Sequence, residues 1–212
     1  MKKLINKILA IKKTEVSNKI NNRLKEFSSF KNKPTSAWFS ELCFCLLTAN
    51  SKAKTALNIQ DELGYDGFYN LSQSDICAAI KRNKHRFHNN KSRFIVGARE
   101  HFDIKDKISK LIKQKSQLDA REWLVQNIKG LGYKESSHYL RNTGHFNLAI
   151  LDRHVLNLMV ENKLLLEKPK SLNRARYLDI EQKLAKVADK LSMSQAELDM
   201  YLWYLKTGEV LK

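Results

Sequence analysis

The chain has 212 residues, 42% of them hydrophobic, and a formal net charge of +17; this excludes global disorder and leaves room for one large domain or two small ones sharing a core. Only 2 prolines and 7 glycines interrupt it, which favours long helices over many short strands with turns. Its three cysteines, Cys43, Cys45 and Cys77, are too few and too irregular for a disulfide framework or a zinc site, and no apolar stretch reaches the length of a membrane span.

Met1-Lys2-Lys3 followed by LINKILAI has the outline of a secretory leader, but Lys7 breaks the apolar run and no small-residue cleavage site follows. Leu4, Ile8, Ile11, Val16, Ile20, Leu24 and Phe27 keep helical spacing instead. They predict one basic amphipathic helix over about 2–30 with its apolar face on the core. A second helix starts after Pro34, capped by Thr35 or Ser36, and turns Trp38, Leu42, Cys45 and Leu46 inward. A third covers about 52–63 and ends at Gly64. Ser72 with Asp75 three residues on marks the start of a short helix at 73–82. Helices at about 89–101, 104–113 and 117–128 follow. Gly130 and Gly132 make a sharp break, and a helix at 134–142 ends at Gly144. Asp152 reads as the N-cap of a helix at 153–161. Helices at about 171–190 and 194–206 complete the chain, and no alternating strand pattern is found. The fold class is all-α.

The charge is unevenly spread. Residues 1–33 hold ten Lys/Arg against Glu15 and Glu26, and residues 81–93 hold Lys81, Arg82, Lys84, Arg86, Lys91 and Arg93 with no acid. Such an imbalance points to a polyanionic partner: DNA, RNA or an anionic membrane surface. An odd cysteine count suits a reducing cytoplasm, and Cys43 and Cys45, inside LCFCLL, read as small core residues.

The most informative stretch is Lys129-Gly130-Leu131-Gly132-Tyr133-Lys134. A helix ends, Gly-x-Gly makes a tight turn, and a new helix begins. Glycine permits positive φ and close backbone approach, and the N–H groups at the new helix start attract a phosphate. A hairpin of this kind grips a nucleic-acid backbone without reading its sequence, although the same turn also joins ordinary helices. Lys134 lies beside that site, and Asp152 follows eighteen residues later at the start of another helix.

GLGYK with an aspartate eighteen residues on resembles the helix-hairpin-helix DNA glycosylase superfamily. The resemblance implies two helical subdomains, with the hairpin at about 123–144 and an interdomain active-site cleft. Residues 1–50 with 150–212 are expected to form one subdomain and 51–149 the other. It implies that Lys134 is the nucleophile and Asp152 the essential carboxylate, with Gly130, Gly132 and Tyr133 on the DNA backbone. The Gly/Pro-rich segment of the family is poor here, since Gly144 remains but no proline lies between 134 and 152.

Leu46-Leu47-Thr48-Ala49-Asn50 is similar to the helix end that supplies a Gln or Asn to the gap left by an extruded base, a role that falls to Asn50. The C-terminal Asp199–Lys212, an apolar helix running into a tail that ends in lysine, resembles the archaeal-type 8-oxoguanine DNA glycosylases over nearly the whole chain. There Trp203 stacks on the flipped base, Lys212 contacts the guanine edge, and His138 lines the pocket. Taken alone, Trp203 reads as core, His138 as a solvated helix residue and Lys212 as a frayed end.

The chemistry follows from these residue types. A base inside a duplex must be flipped out at a cost of a few kcal/mol, offset by phosphate contacts that weaken with salt. A lysine amine must be neutral to attack, a form favoured by burial near other positive groups. Its attack on C1′ expels the base and leaves a Schiff base, from which β-elimination nicks the strand; the enzyme is thus both glycosylase and lyase. Asp152 takes up a proton or stabilises developing positive charge on the sugar.

No organic cofactor and no metal ligand set are expected, and the absence of cysteines after Cys77 disfavours the iron–sulfur cluster of the endonuclease III branch. The resemblance does imply a K+ or Na+ ion on hairpin carbonyls. The expected partner is double-stranded DNA carrying an oxidised guanine, bound by a monomer in a prokaryotic cytoplasm at the nucleoid, with no membrane. Competing readings are an oxidised-pyrimidine glycosylase/lyase on the same scaffold, a non-catalytic helix-hairpin-helix DNA binder, and a basic membrane-surface protein. The last two leave the spacing of Lys134 and Asp152, or the hairpin itself, without a purpose.

Overall fold

The structure, a computed structural model, describes residues 1–212. It is entirely helical. In chain order the helices are α1 (Lys2–Lys12), α2 (Val16–Ser29), α3 (Thr35–Thr48), α4 (Ala53–Asn70), α5 (Gln73–Arg82), α6 (His88–Gly97), α7 (Ile104–Gln114), α8 (Gln117–Asn127), α9 (Tyr133–Asn142), α10 (Arg153–Glu161), α11 (Arg174–Lys190) and α12 (Gln195–Thr207). Short 3-10 turns occupy Phe30–Asn32 and Ala98–His101.

Local chemistry sets many of the helix starts. The Ser72, Ser116, Asn173 and Ser194 side chains each accept the amide N–H three residues on, satisfying one of the donors that a helix start leaves over. The helix expected over 2–30 is broken at Lys13–Glu15. There the Thr14 hydroxyl donates to the Ile11 carbonyl at 2.7 Å and accepts the Val16 N–H at 3.3 Å. Threonine offers the backbone a local partner in place of the helical one, and the apolar stripe simply resumes beyond it. Pro34 itself is the N-cap of α3, with no side-chain cap from Thr35 or Ser36. Gly64 does interrupt α4, at φ 63°, but helix continues from there to Asn70.

The chain forms two compact units, Met1–Lys31 with Leu140–Lys212, and Asn32–Tyr139. The crossings fall at 31/32 and 139/140 rather than near residues 50 and 150. α3 goes with the middle of the chain because it packs on α4, α6 and α7. Every residue of α3 from Ala37 to Thr48 is buried, as expected of a helix apolar on all sides. Around it in the Asn32–Tyr139 unit, Phe39 meets Phe102 at 5.5 Å, Trp38 meets Tyr139 edge-on at 6.2 Å, and Phe44 meets His138 at 5.6 Å.

In the other unit α12 is central and packs on α1, α2, α10 and α11. The buried Arg141 and Asp199 form an ion pair there, and the Arg141 guanidinium lies 5.1 Å from the Phe27 ring centre. α9 ends at Gly144, whose φ is +93° and whose missing Cβ would sit 3.0 Å from the Phe27 carbonyl oxygen. Only glycine satisfies both demands.

Candidate active site

In the Asn32–Tyr139 unit the site residues gather on the α8–α9 hairpin. Gly130 turns the chain at φ +98°, and a Cβ on it would meet the Phe94 ring at 2.6 Å, so its left-handed backbone and its close approach both require glycine. α9 starts at Tyr133, which makes Lys134 its second residue. The Lys134 Nζ lies 3.4 Å from Glu135 Oε1, the two side chains being 25% and 15% exposed. Glu135 Oε2 accepts the Gly132 N–H at 3.3 Å, the backward half of a capping box. That N–H, expected to face a phosphate, is thus held by a carboxylate within the chain. His138, one turn beyond Lys134, is buried rather than solvated.

The hairpin is braced from α8. Arg121 is fully buried, donates to Ser137 Oγ at 3.2 Å and sets its guanidinium 5.4 Å from the Tyr133 ring centre. Tyr133 donates its hydroxyl to Glu122 Oε2 at 2.6 Å. Tyr133 is therefore packed into the hairpin by its ring and its hydroxyl, while Gly130 and Gly132 are exposed.

Asn50 lies in the same unit, just past α3, exposed and at φ 60°, a conformation that asparagine tolerates better than most residues. The end of α3 is held by the 81–93 segment. Lys91 Nζ donates to the Leu46 carbonyl at 2.6 Å, the His85 ring meets the Leu47 carbonyl at 2.9 Å, and Arg86 donates to the Asn50 carbonyl at 3.3 Å. Part of that basic cluster thus serves helix-end carbonyls rather than solvent. Lys91 and His85 are both buried. Burial pushes Lys91 down to about 8, with Glu135 acting to raise it and Lys134 to lower it.

In the other unit Asp152 is the N-cap of α10, accepting the Val155 N–H through Oδ1 at 2.8 Å. The segment leading to it has no regular structure, and its backbone is bound by α11. Ala149 N–H donates to Glu181 Oε1 at 2.8 Å, the Tyr177 hydroxyl donates to the Ala149 carbonyl at 2.8 Å, and Leu151 N–H reaches that hydroxyl at 3.3 Å. Buried backbone groups need partners, and these side chains supply them where a Gly/Pro-rich segment was looked for. His154, two residues after Asp152, stands edge-on to Trp203 at 5.3 Å. The Trp203 indole N–H is buried without a hydrogen-bond partner, and Lys212 is half-buried.

Sequence reasoning missed Arg121, Glu135, Tyr177 and Glu181, and counted Lys91 only as surface charge. Glu135 had a signal, an acid three residues after Gly132 at a helix start. The others are charged or polar residues on helices, with nothing local to mark them as buried. No group of three or more His, Cys, Asp or Glu is placed to hold a metal, and no helix is long and apolar enough to cross a membrane.

The chain is also similar to known proteins over nearly its whole length. The sequence model of the 8-oxoguanine DNA glycosylase family matches residues 20–193. A protein of Methanocaldococcus jannaschii named 8-oxoguanine DNA glycosylase/AP lyase is 46% identical over 209 residues, covering 99% of each chain. One of the same name from Korarchaeum cryptofilum is 43% identical, covering 99% of this chain and 98% of its own. The crystal structure of the M. jannaschii enzyme in complex with 15mer DNA containing 8-oxoguanine superposes with a TM-score of 0.95 at 45% identity, covering 99% of both chains.

Proposed function

The chain belongs to the 8-oxoguanine DNA glycosylase family, and on that footing we propose that it excises 8-oxoguanine from double-stranded DNA and cuts the strand at the resulting abasic site. The observation that carries the reading is the placement of Lys134: a half-buried side chain in the first turn of α9, directly beyond a turn that only glycine can make.

In this reading the base is extruded, Lys134 attacks C1′ and the guanine-derived base departs with its bonding electrons. The amine gives up a proton as the base takes one up, the nitrogen lone pair then opens the C1′–O4′ bond with O4′ taking up a proton, and the Schiff base so formed acidifies the adjacent carbon, so that β-elimination expels the 3′ phosphate. The Asp152 carboxylate stabilises the positive charge that develops on the sugar. Trp203 supplies a stacking face worth about 1–3 kcal/mol, with His138 and Lys212 at the base edge. Asn50, left-handed and exposed, fills the gap in the duplex. Gly130, Gly132 and Tyr133 support the backbone beside the lesion, and a K+ or Na+ ion held by hairpin carbonyls is part of the proposal. Carbonyl oxygens are hard, neutral donors suited to such an ion, and it would add positive charge to the hairpin. We take the enzyme to need no organic cofactor or iron–sulfur cluster, and to act as a monomer on nucleoid DNA in the cytoplasm.

Borohydride reduction during turnover on an 8-oxoguanine duplex tests this directly. The wild type is expected to be trapped covalently, and Lys134→Gln to lose trapping while still binding the duplex. Trapping of that variant at the wild-type level would remove Lys134 as nucleophile.

A further inference from the structure

Consecutive residues on a helix do not face each other, yet Lys134 Nζ and Glu135 Oε1 are 3.4 Å apart. The contact arises because Glu135 turns back over the start of α9. Its Oε2 accepts the Gly132 N–H at 3.3 Å, and a Cβ on residue 132 would meet that oxygen at 3.2 Å. The Gly132 carbonyl accepts the Ser136 N–H at 2.9 Å, so Gly132 is the N-cap and Glu135 the third residue of the helix. One carboxylate thus spans the hairpin turn and the amine, with an oxygen on each.

Only half of a capping box is present. In the full motif the N-cap side chain accepts the amide of the third residue, and glycine has none to offer. The start of α9 therefore keeps donors for an acceptor from outside the chain, and a helix start favours an anion there. The Gly132 N–H is already taken, and its occupant is an acid. A carboxylate and a phosphate cannot share that one donor, and their like charges repel. Glu135 is half-buried rather than enclosed, so rotation of its side chain can carry it outward.

We propose that Glu135 is a positioning residue that couples the grip on the DNA backbone to the freedom of the nucleophile. In the free protein its carboxylate holds Lys134 against the hairpin. A backbone phosphate arriving at the turn takes the Gly132 N–H, displaces the carboxylate and frees the Lys134 amine to approach C1′. The amine is thus offered to DNA and withheld from other carbonyl compounds. The inference rests on the reading of Lys134 as nucleophile.

The test compares two reductively trapped reactions of Lys134, with modification of that residue read by peptide mass spectrometry. One uses formaldehyde, which carries no phosphate; the other uses a duplex with an abasic site, which brings its own. Glu135→Gln keeps an acceptor for the Gly132 N–H but removes the charge. It is expected to speed the formaldehyde reaction about fivefold, the scale of a partly exposed ion pair, and the duplex reaction by no more than about half that factor. The inequality is the signature of displacement, because in the wild type the phosphate has already moved the carboxylate. A cap alone predicts that Gln behaves as the wild type in both reactions, and a loosened fold predicts one factor for both; either result overturns the proposal. If Glu135→Gln does not fold, Glu135→Ala decides by the same comparison. A wild type that is not trapped at Lys134 on the abasic duplex sinks the nucleophile assignment as well; normal trapping with equal factors sinks only the role of Glu135.

Discussion

Asp152 Oδ1 accepts the Val155 N–H at 2.8 Å, so the carboxylate proposed to act on the sugar also caps its own helix. The cap uses one oxygen and needs no charge, whereas stabilising a cationic sugar needs the charge. The two duties separate by mutation. Asp152→Asn keeps the cap, and its stability should stay within about 0.5 kcal/mol of the wild type. Excision should fall by roughly 10²–10⁴. Asp152→Ala should lose both, with about 1 kcal/mol of stability gone. Urea melts set beside single-turnover rates decide it. An Asn variant as unstable as the Ala variant would reduce Asp152 to a structural residue.

Arg121 ties α8 to α9 from inside, through Ser137 and the Tyr133 ring. Arg121→Met keeps the aliphatic volume but removes the guanidinium and leaves a buried hydroxyl short of a donor. A loss of roughly 2–4 kcal/mol is expected, together with weaker duplex binding as the turn loosens. Urea unfolding and DNA titration at fixed salt measure both. A full loss of stability with unchanged DNA affinity would mean that the turn does not depend on this brace.

His145 makes folding sensitive to acid. Its Nε2 is buried without a partner, and burial lowers its pKa from the usual 6.5 to about 4. Above 6.5 the ring is neutral in both folded and unfolded chains. Between 6.5 and about 4 the unfolded chain binds a proton that the folded one refuses, so stability falls as pH falls, and the loss is complete below the folded value. The expected loss is about 1–3 kcal/mol. His145→Gln should flatten that part of the stability curve, and an equally steep curve for the variant would assign the acid sensitivity elsewhere.

Removing Lys212 should affect which base is excised more than whether DNA is bound. Preference for 8-oxoguanine over guanine is expected to fall about tenfold, the scale of one lost hydrogen bond to a buried edge. Affinity for undamaged duplex should change less than about threefold, since phosphate contacts dominate it. Competition assays with the two bases measure the first, and an unchanged preference would take the tail out of base reading.

Where a structural decision depends on neighbours within four residues, the sequence carried it. Ser72 with Asp75 marked the start of α5, Asp152 that of α10, and both helices run over the expected residues. Gly130 and Gly144 marked turns that a side chain would block. Even within this range Thr14 escaped notice, because the apolar stripe continues through a break that only its hydroxyl bonds reveal.

The amino-acid order by itself determined an all-helical chain, the hairpin and the lysine placed just after it, because helix periodicity, caps and glycine turns are short-range physics. Tertiary structure alone decided that Lys91 lies inside against a carbonyl 45 residues away, and that the approach to Asp152 is held by Glu181, 32 residues from Ala149. It also decided that α3 belongs with the middle of the chain. A lysine or glutamate on a helix reads as a solvated residue until folding brings distant backbone to it. Burial and pairing at a distance arise from the packing of whole helices, and local spacing holds no record of them.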